Sequence, residues 1–358
     1  MDEKKQIFQK NGAEEIQKRI NMAVNDQTYS TTVTGNWEME KTVLIPSGFT
    51  LILENCHLRM ADGTFCNMFS NVNCRTEEGR TREGKDTDIR IEGRGRVILD
   101  GGEYNGLSER TYKEMGFHIT VNCLLLFANV DGFSINNIHI RNQRYWGMAF
   151  YFCRNGKLSN IDFMADCTYI DDNNVKRTGL SREFPMEWAR IMNADGIDIR
   201  SGCHDIMIEN ITGFTQDDSI ALTGLYGRGE KLYEVEGHDY DIYNIIIKNV
   251  MTSALYANVR LLNQGGVKLY NVIIDTVVDT SKDSPCLKRG SSGIRIGDRH
   301  MYGKRHATCN ETFNITIRNV ISRAIAPLNI VSEVRNLILD NIMSFDDIQA
   351  AELDKIDR

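Results

Sequence analysis

The hydrophobic and polar positions of the chain repeat with a period of about 22 residues, a length typical of stacked repeat folds. In each unit a run rich in Ile, Val and Leu leads to an asparagine, which is followed by another Ile or Val. The asparagines of this pattern are Asn137, Asn160, Asn210, Asn249, Asn271, Asn319 and Asn341. The successive differences between their sequence numbers are 23, 50, 39, 22, 48 and 22. The three long spacings are one unit plus insertions of roughly 28, 17 and 26 residues.

A unit of this length fits one rung of a parallel β-helix, in which three short strands are joined by turns and rungs stack about 4.8 Å apart. Asparagine at a fixed corner tolerates the left-handed backbone of a tight turn, and its amide can bond to the asparagine of the next rung. A leucine-rich repeat has a similar period but would show regular leucines and a helical segment. The pattern therefore predicts an all-β, right-handed parallel β-helix.

The N-terminal part of the chain has a helical pattern instead. Within residues 13–24, Ile16, Ile20 and Ala23 recur at helical spacing. The open end of a β-helix exposes core side chains and strand edges, so a covering element is expected there. The sequence thus predicts an N-terminal capping helix.

Residues 42–343 are predicted to form the rungs. Early strands are expected at 42–45, 50–53, 88–91 and 96–99, and the acidic tail, 344–358, is expected to lie over the last rung. With only four prolines and no Ser/Pro/Gly-rich linker, residues 1–358 are predicted to be a single domain.

Composition narrows the function. The formal net charge of −7 gives no support for binding to nucleic acid or to an anionic membrane. No run approaches the roughly 18 apolar residues of a membrane span, and the polar N-terminus has no signal-peptide pattern, so a cytoplasmic location is expected. Nine cysteines, an odd number without CxxC pairs, argue against disulfides and a zinc site. We therefore expect reduced cysteines and no metal or cofactor.

Two acidic motifs carry candidate chemistry. Asp195 lies in Asn193-Ala-Asp-Gly, and Asp217 and Asp218 are adjacent. Asp217 follows Asp195 by one repeat unit, so we expect these two residues to stack on neighbouring rungs with Asp218 beside them. Close carboxylates raise the pKa of at least one member, which is how an acid–base pair for glycosidic cleavage is made. A calcium site or solvated turn aspartates are the alternatives.

At these residues the chain resembles glycoside hydrolase family 28, the polygalacturonase family. The resemblance runs over most of the sequence and depends on several motifs in order. These are the segments 42–48 and 51–54, Arg144-Tyr-Trp146, Asn193-Ala-Asp195-Gly-Ile-Asp198, Asp217-Asp218, and Gly293-Ile-Arg295-Ile296.

The resemblance implies a role for each matching residue. Asp217 would be the general acid, and Asp195 and Asp218 would hold and activate the attacking water. Arg295 would bind the substrate, in family members often through a uronate carboxylate. Asn193, which begins the motif of Asp195, is a further substrate-binding candidate. The family inverts the anomeric configuration. Close carboxylates alone would suggest retention, but three of them can share a water.

Two departures from the family pattern concern substrate binding. The family's Gly-His-Gly motif should fall one rung after the acidic pair, and the spacing reaches Tyr256 instead of a histidine. The family's Arg-Ile-Lys has become Arg295-Ile-Gly297, which removes a cation that would bind a carboxylate. Ala194 also replaces the threonine of the Asn-Thr-Asp pattern. The resemblance thus supports hydrolysis more strongly than it supports galacturonate as the sugar.

Other residues could complete the binding site. His238 lies in an insertion and could replace the missing histidine, although a lone loop histidine is more often solvated. Arg260 could replace the missing lysine or simply face solvent. Tyr145 and Trp146 could form a sugar-stacking platform or belong to the core.

Inserted loops are expected near residues 165–190, 224–241 and 281–312, all around the acidic rungs. Walls there would turn a groove into a pocket for short oligosaccharides or chain ends. The same loops could form the interface of a homo-oligomer, which the apolar residues Phe184, Met186 and Trp188 would support.

The sequence therefore predicts an intracellular inverting glycoside hydrolase that acts on a small oligosaccharide of the galacturonide type. A polysaccharide lyase or epimerase on the same fold is an alternative, which would use a Lys or Arg base and often calcium. A fructan-transforming enzyme and a non-catalytic carbohydrate-binding β-helix also remain open.

Overall fold

The computed structural model describes residues 7–102, 119–165, 168–170, 175–178, 195–280, 289–299, 302–345 and 352–353. In these residues two ten-stranded parallel sheets follow each other around a solenoid, because strands of the two sheets alternate along most of the chain. The chain is a right-handed parallel β-helix, as predicted.

The first sheet contains long strands, which carry left-handed backbone at one or more positions. They are β1 (Ser30–Met39), β3 (Thr50–Met60), β5 (Asp86–Asp100), β7 (Val130–Arg141), β9 (Arg154–Met164), β13 (His204–Thr215), β15 (Ile242–Ala254), β17 (Leu269–Asp279), β19 (Thr312–Ser322) and β21 (Arg335–Ser344).

The second sheet contains the short strands that position the candidate site. They are β2 (Val43–Ile45), β4 (Phe69–Asn71), β6 (Leu125–Ala128), β8 (Met148–Tyr151), β12 (Ile197–Arg200), β14 (Ile220–Gly224), β16 (Ala257–Asn263), β18 (Ser292–Ile296), β20 (Ala326–Ile330) and β22 (Glu352–Leu353). A separate antiparallel pair is formed by β10 (Thr168–Ile170) and β11 (Lys176–Thr178).

The core lies inside the solenoid as rows of stacked aliphatic side chains. In one row Ile197, Ile220, Val259, Ile294 and Leu328 follow each other across five neighbouring strands, and all are fully buried. Each rung covers the apolar face of the one below, so the hydrophobic stabilisation is repeated rung by rung. The residues between these inward positions point outward, where they can form a site.

The bends of the long strands carry asparagines with left-handed backbone. Asn160 and Asn210 have φ angles of 55° and 58°, as the predicted corner requires. The amide of Asn160 donates to Asn137, that of Asn210 to Asn160 and that of Asn249 to Asn210. The predicted ladder of stacked asparagines therefore exists.

One asparagine was assigned to the wrong ladder. Asn271 donates to Asn244, 27 residues before it, and belongs to a second ladder that continues through Asn314. Thr276, also left-handed at φ 64°, occupies the rung position above Asn249. The apparent single-unit spacing between Asn249 and Asn271 compared two different corners of the solenoid.

The predicted capping helix is present as α1 (Gly12–Asn25), with Ile16, Ile20 and Ala23 buried. A Cβ at Gly12 would lie 2.6 Å from Cβ of Trp37, so glycine lets the helix start against β1. The rungs begin earlier than the predicted residue 42. Strand β1 was not predicted, because most of its side chains are half-buried or exposed and its sequence is accordingly polar.

Only part of the C-terminal tail that was expected to cover the last rung is described. In the tail, Glu352–Leu353 pairs with β20, and the expectation for residues 346–351 and 354–358 lies outside the described residues. Short helices complete the described elements, namely α2 (Arg228–Lys231) and 3₁₀ turns at Glu78–Arg80 and Ile119–Asn122. In the described segments no helix has the length and apolar character needed to cross a bilayer. The seven cysteines in these segments are free thiols.

Candidate active site

Two neighbouring rungs of the second sheet bring the predicted aspartates together. β12 and β14 pair with Ile197 opposite Ile220, so this rung is one residue longer than the separation of Asp195 and Asp217. Asp195 therefore lies opposite Asp218, and not opposite Asp217 as the sequence predicted. The backbone N–H of Asp218 donates to Oδ1 of Asp195 at 2.9 Å, which fixes this register.

The three carboxyl groups form one cluster. An oxygen of each of Asp195, Asp217 and Asp218 lies within 4.8 Å of the other two. Asp195 and Asp218 are only 8% and 1% exposed, whereas Asp217 is half-buried and is the member nearest to solvent. A Cβ at Gly196 would lie 2.6 Å from the carbonyl oxygen of Ser219. The glycine after Asp195 is thus needed for the two rungs to approach.

Burial and mutual repulsion set the protonation of the cluster. Burial, followed by the charges of Asp198, Asp217 and Asp218, raises the pKa of Asp195 well above its ordinary value. Burial also raises the pKa of Asp218 to about 8, although the nearby guanidinium of Arg260 opposes this shift. Burial and the repulsion among the three carboxyls thus both favour a protonated carboxyl within the cluster.

Two arginines and a tyrosine lie beside the acids. Arg260 and Arg295 are opposite each other on β16 and β18, and their guanidinium carbons lie 5.1 and 5.2 Å from the ring centre of Tyr256. Nη1 of Arg260 is 3.3 Å from Oδ2 of Asp218, and its Nη2 pairs with Asp298. Arg260 thus points into the site, and not to open solvent.

Tyr256 follows Asp217 by one rung, because its backbone N–H donates to the carbonyl of Asp217 at 3.2 Å. A tyrosine therefore stands at the position where the resemblance implied a histidine. Gly297 stands at the position of the implied lysine. Its φ is +78° and an added Cβ would lie 2.1 Å from Oγ of Ser332, so this backbone excludes any side chain.

A buried charge network that the sequence did not predict lies behind the cluster. Asp198, two residues after Gly196 on β12, is fully buried, and its Oδ1 lies 3.4 Å from Nη1 of Arg200. Nη2 of Arg200 pairs with Glu230 of α2 at 2.5 Å. Burial raises the pKa of Asp198 to about 7 against the opposing charge of Arg200. Asp198 is part of the motif that begins at Asn193, but no local sequence pattern links Glu230, in the insertion, to this network.

The remaining predicted residues lie elsewhere or outside the described residues. Trp146 is 9% exposed and its ring carries the guanidinium of Arg200 at 4.7 Å, so it forms part of the core and not a free stacking surface. His238 lines a neighbouring cavity. Asn193 and the apolar residues Phe184, Met186 and Trp188 are outside the described residues.

Residues 37–238 match the sequence profile of the family described as Glycosyl hydrolases family 28. The match covers more than half of the chain and includes all three clustered aspartates.

The chain belongs to glycosyl hydrolase family 28.

Solved structures agree with this fold. An exopolygalacturonase from Thermotoga maritima is 14% identical with a TM-score of 0.53, and the alignment covers 91% of this chain and 81% of that one. The tailspike protein of Escherichia coli bacteriophage HK620 is 11% identical with a TM-score of 0.56, and the alignment covers 96% of this chain and 60% of the tailspike. At these identities the likeness shows the β-helix alone. No curated protein sequence matches the chain.

Family membership makes this protein a glycoside hydrolase with a carbohydrate substrate. The profile match ends at residue 238, before Tyr256, Arg260 and Arg295. The pairing of the rungs nevertheless places these three side chains beside the aspartate cluster. The tyrosine and the two arginines beside the acids therefore lie outside the part of the chain that the family profile covers.

Proposed function

We propose that this family 28 enzyme hydrolyses a short acidic oligosaccharide of the galacturonide type with inversion at the anomeric carbon. The observation that carries the proposal is the cluster of Asp195, Asp217 and Asp218, whose oxygens approach within 4.8 Å from two neighbouring rungs. Their differing exposure supports a division of roles among three chemically identical side chains.

Asp217 would act as the general acid. It is the half-buried member at the solvent side, where it can reach the glycosidic oxygen of a bound sugar. Its proton would pass to that oxygen as the bond from the anomeric carbon breaks, so that the leaving sugar departs as an alcohol.

Asp195 and Asp218 would hold the attacking water. One of the pair must be ionised to accept a proton from this water, whose oxygen then bonds to the anomeric carbon from the opposite face of the ring. The Asp218 N–H bond to Asp195 and the Ala257 N–H bond to Asp218, at 2.9 and 3.0 Å, hold both carboxyls in place. Because burial raises the pKa of both carboxyls, the acidic limb of the pH–activity profile should lie above the ordinary pKa range of an aspartate.

Arg260 and Arg295 would bind the acidic group of the sugar. The two guanidinium groups lie on the outward face of β16 and β18, next to the acids, and Tyr256 lies between them as a π surface. With Gly297 in place of a lysine, these two arginines are the cations that the described site offers to a carboxylate.

The insertion at 224–241 supports a short substrate. This insertion packs onto the solenoid, because the side chains of Glu230, Tyr233 and Val235 within the insertion are buried. An anchored wall beside the acids favours chain ends over the middle of a polymer.

The test is to incubate the protein with di- and trigalacturonate and with neutral and fructan oligosaccharides, and to follow the first anomer released by proton NMR. Asp217→Asn is the matched control. Release of the inverted anomer by the wild type alone would support the proposal. Release of the retained anomer would instead make one clustered aspartate a nucleophile, as expected where two carboxyls are only about 5 Å apart. Unsaturated products, or activity lost on chelation, would indicate a lyase.

A further inference from the structure

A cavity lies beyond the C-terminal ends of β14, β16 and β18 and is connected with the acidic cluster by the contact between Arg260 and Tyr302. It has a volume of about 740 Å³, within the usual range of pockets that bind small ligands. Its walls come from two of the insertions and one tight turn between strands. The side chains that matter below are Tyr226, Lys231, His238, Tyr240, Tyr302 and Lys304.

Three tyrosines give the cavity its shape. Tyr226 and Tyr240 pack against each other with ring centres 4.5 Å apart, and Tyr302 on the other wall is 52% exposed. A tyrosine ring combines an apolar face with a hydroxyl group. This combination suits a sugar ring, which presents C–H groups on one face and hydroxyls at its edge.

The cavity offers two lysines, Lys231 and Lys304, to an anionic ligand, and its lining also contains two carboxylates, Asp239 and Asp241. Among the residues that the structure describes, neither Lys231 nor Lys304 forms an ion pair, although Lys231 lies 4.9 Å above the ring of Tyr226. Asp241 in the same wall is already engaged by Lys268 at 3.6 Å. Burial, together with nearby arginines, lowers the pKa of His238 and leaves it as a neutral hydrogen-bonding group near pH 7.

The cavity adjoins the acidic cluster through a single arginine. The guanidinium carbon of Arg260 lies 5.8 Å from the ring centre of Tyr302, and the same guanidinium lies 3.3 Å from Asp218. Tyr302 thus lines the cavity while contacting the arginine that lines the active site. A linear oligosaccharide bound at the acids could extend past Arg260 into this space.

We propose that the cavity is a second sugar subsite that binds an acidic unit of the substrate through Lys231 and Lys304, with Tyr302 as its stacking surface. The inference rests on the proposed function for the identity of the ligand. It goes beyond that function because it assigns a binding role to residues from chain insertions, remote from the family motifs.

The test measures binding separately from hydrolysis. Trigalacturonate, digalacturonate and fully methyl-esterified trigalacturonate are titrated by calorimetry into the Asp217→Asn protein and into the same protein with Lys304→Gln or Lys231→Gln. Trigalacturonate should bind at least about fivefold more weakly after either lysine change, the loss expected for one charge-assisted contact. The methyl ester should bind weakly to all of these proteins. Lys41→Gln, an exposed lysine at the other end of the solenoid, is the matched control.

Tyr302→Ala in the same background should weaken trigalacturonate more than digalacturonate. Equal affinities across all variants, or no measurable binding of trigalacturonate, would overturn the subsite. If binding follows the expected pattern but the wild type does not hydrolyse trigalacturonate, the proposed function fails while the subsite stands. Both lysines are exposed, so their replacement by glutamine leaves the fold intact.

Discussion

Asp195 accepts a hydrogen bond from the backbone N–H of Asp218, on the next rung, at 2.9 Å. This one contact ties the register of two rungs to the chemistry of the site, because it brings two carboxyl groups together in a buried position. The arrangement costs stability when the carboxyls ionise, since burial and like charges both disfavour the anion. The fold alone does not require this acidic cluster, and this is a further reason to propose it as the catalytic centre.

The first prediction concerns that cost. The pKa of Asp195 is raised in the folded protein, so its contribution to stability is complete below about pH 4 and declines as pH rises toward the folded pKa. Asp195→Asn keeps the acceptor oxygen but removes the titration. We therefore expect the variant to be inactive, and its free energy of unfolding relative to wild type to increase steadily from pH 4 to pH 8, as measured by urea denaturation.

Asp131 offers a control of opposite sign. Burial alone would raise its pKa, but Asn155 and Arg154 lower it, so its stabilising contribution is present above about pH 4 and lost below. Asp131→Asn should therefore be less stable than wild type by a nearly constant amount from pH 4 to pH 8, and the difference should shrink as pH falls below 4. Parallel profiles for the two variants would contradict the assignment of a raised pKa to Asp195.

The second prediction separates the two arginines of the site. Arg260 lowers the pKa of Asp218 against the larger, raising effect of burial, so Arg260→Gln should raise it further. If Asp218 accepts the proton of the attacking water, the acidic limb of the kcat/KM profile should move to higher pH. Arg295 lies on β18, one strand further from Asp218 than Arg260, and contacts Tyr256. Arg295→Gln should therefore raise KM and leave the acidic limb of the kcat/KM profile in place. Equal shifts in both variants would exclude this role for Asp218.

The sequence predicted the parts of this protein that repeat. Rows of aliphatic residues and corner asparagines recur in most rungs, so the β-helix could be read from their period, and the capping helix from Ile16 and Ile20. The period alone left the strand pairing uncertain by one residue, and for this reason Asp217 was stacked on Asp195 in place of Asp218. Asn271 was assigned to the wrong ladder because two corners of the solenoid both carry asparagines.

Contacts that join distant segments were beyond a periodic pattern. Glu230 meets Arg200 because an insertion folds back onto the second sheet, and no repeat places these two residues together. Trp146 was a stacking candidate by its residue type, yet the guanidinium of Arg200 covers its ring. In both cases a buried arginine determined what its neighbours could do.

The third prediction concerns this network. Although burial opposes the shift, Arg200 lowers the pKa of Glu230, so the pair stabilises the fold above the ordinary glutamate pKa and loses this effect as pH falls through the lowered value. Glu230→Gln should cost about 2 kcal/mol of unfolding free energy at pH 7, the worth of a charge-assisted bond. Glu236→Gln, exposed in the same insertion, is the control and should cost little. A loss that persists unchanged at acidic pH would exclude a charge effect.

The last prediction separates the two tasks of a corner asparagine. Asn210 has a φ of 58°, donates to Asn160 and accepts from Asn249. Asn210→Gly keeps the left-handed backbone but loses both side-chain bonds, whereas Asn210→Ala loses the bonds and adds the strain of a Cβ. We expect the alanine variant to be less stable than the glycine variant by about 1 kcal/mol in urea denaturation. If glycine restores wild-type stability, backbone conformation alone explains the repeat; if both variants lose equally, the amide ladder does.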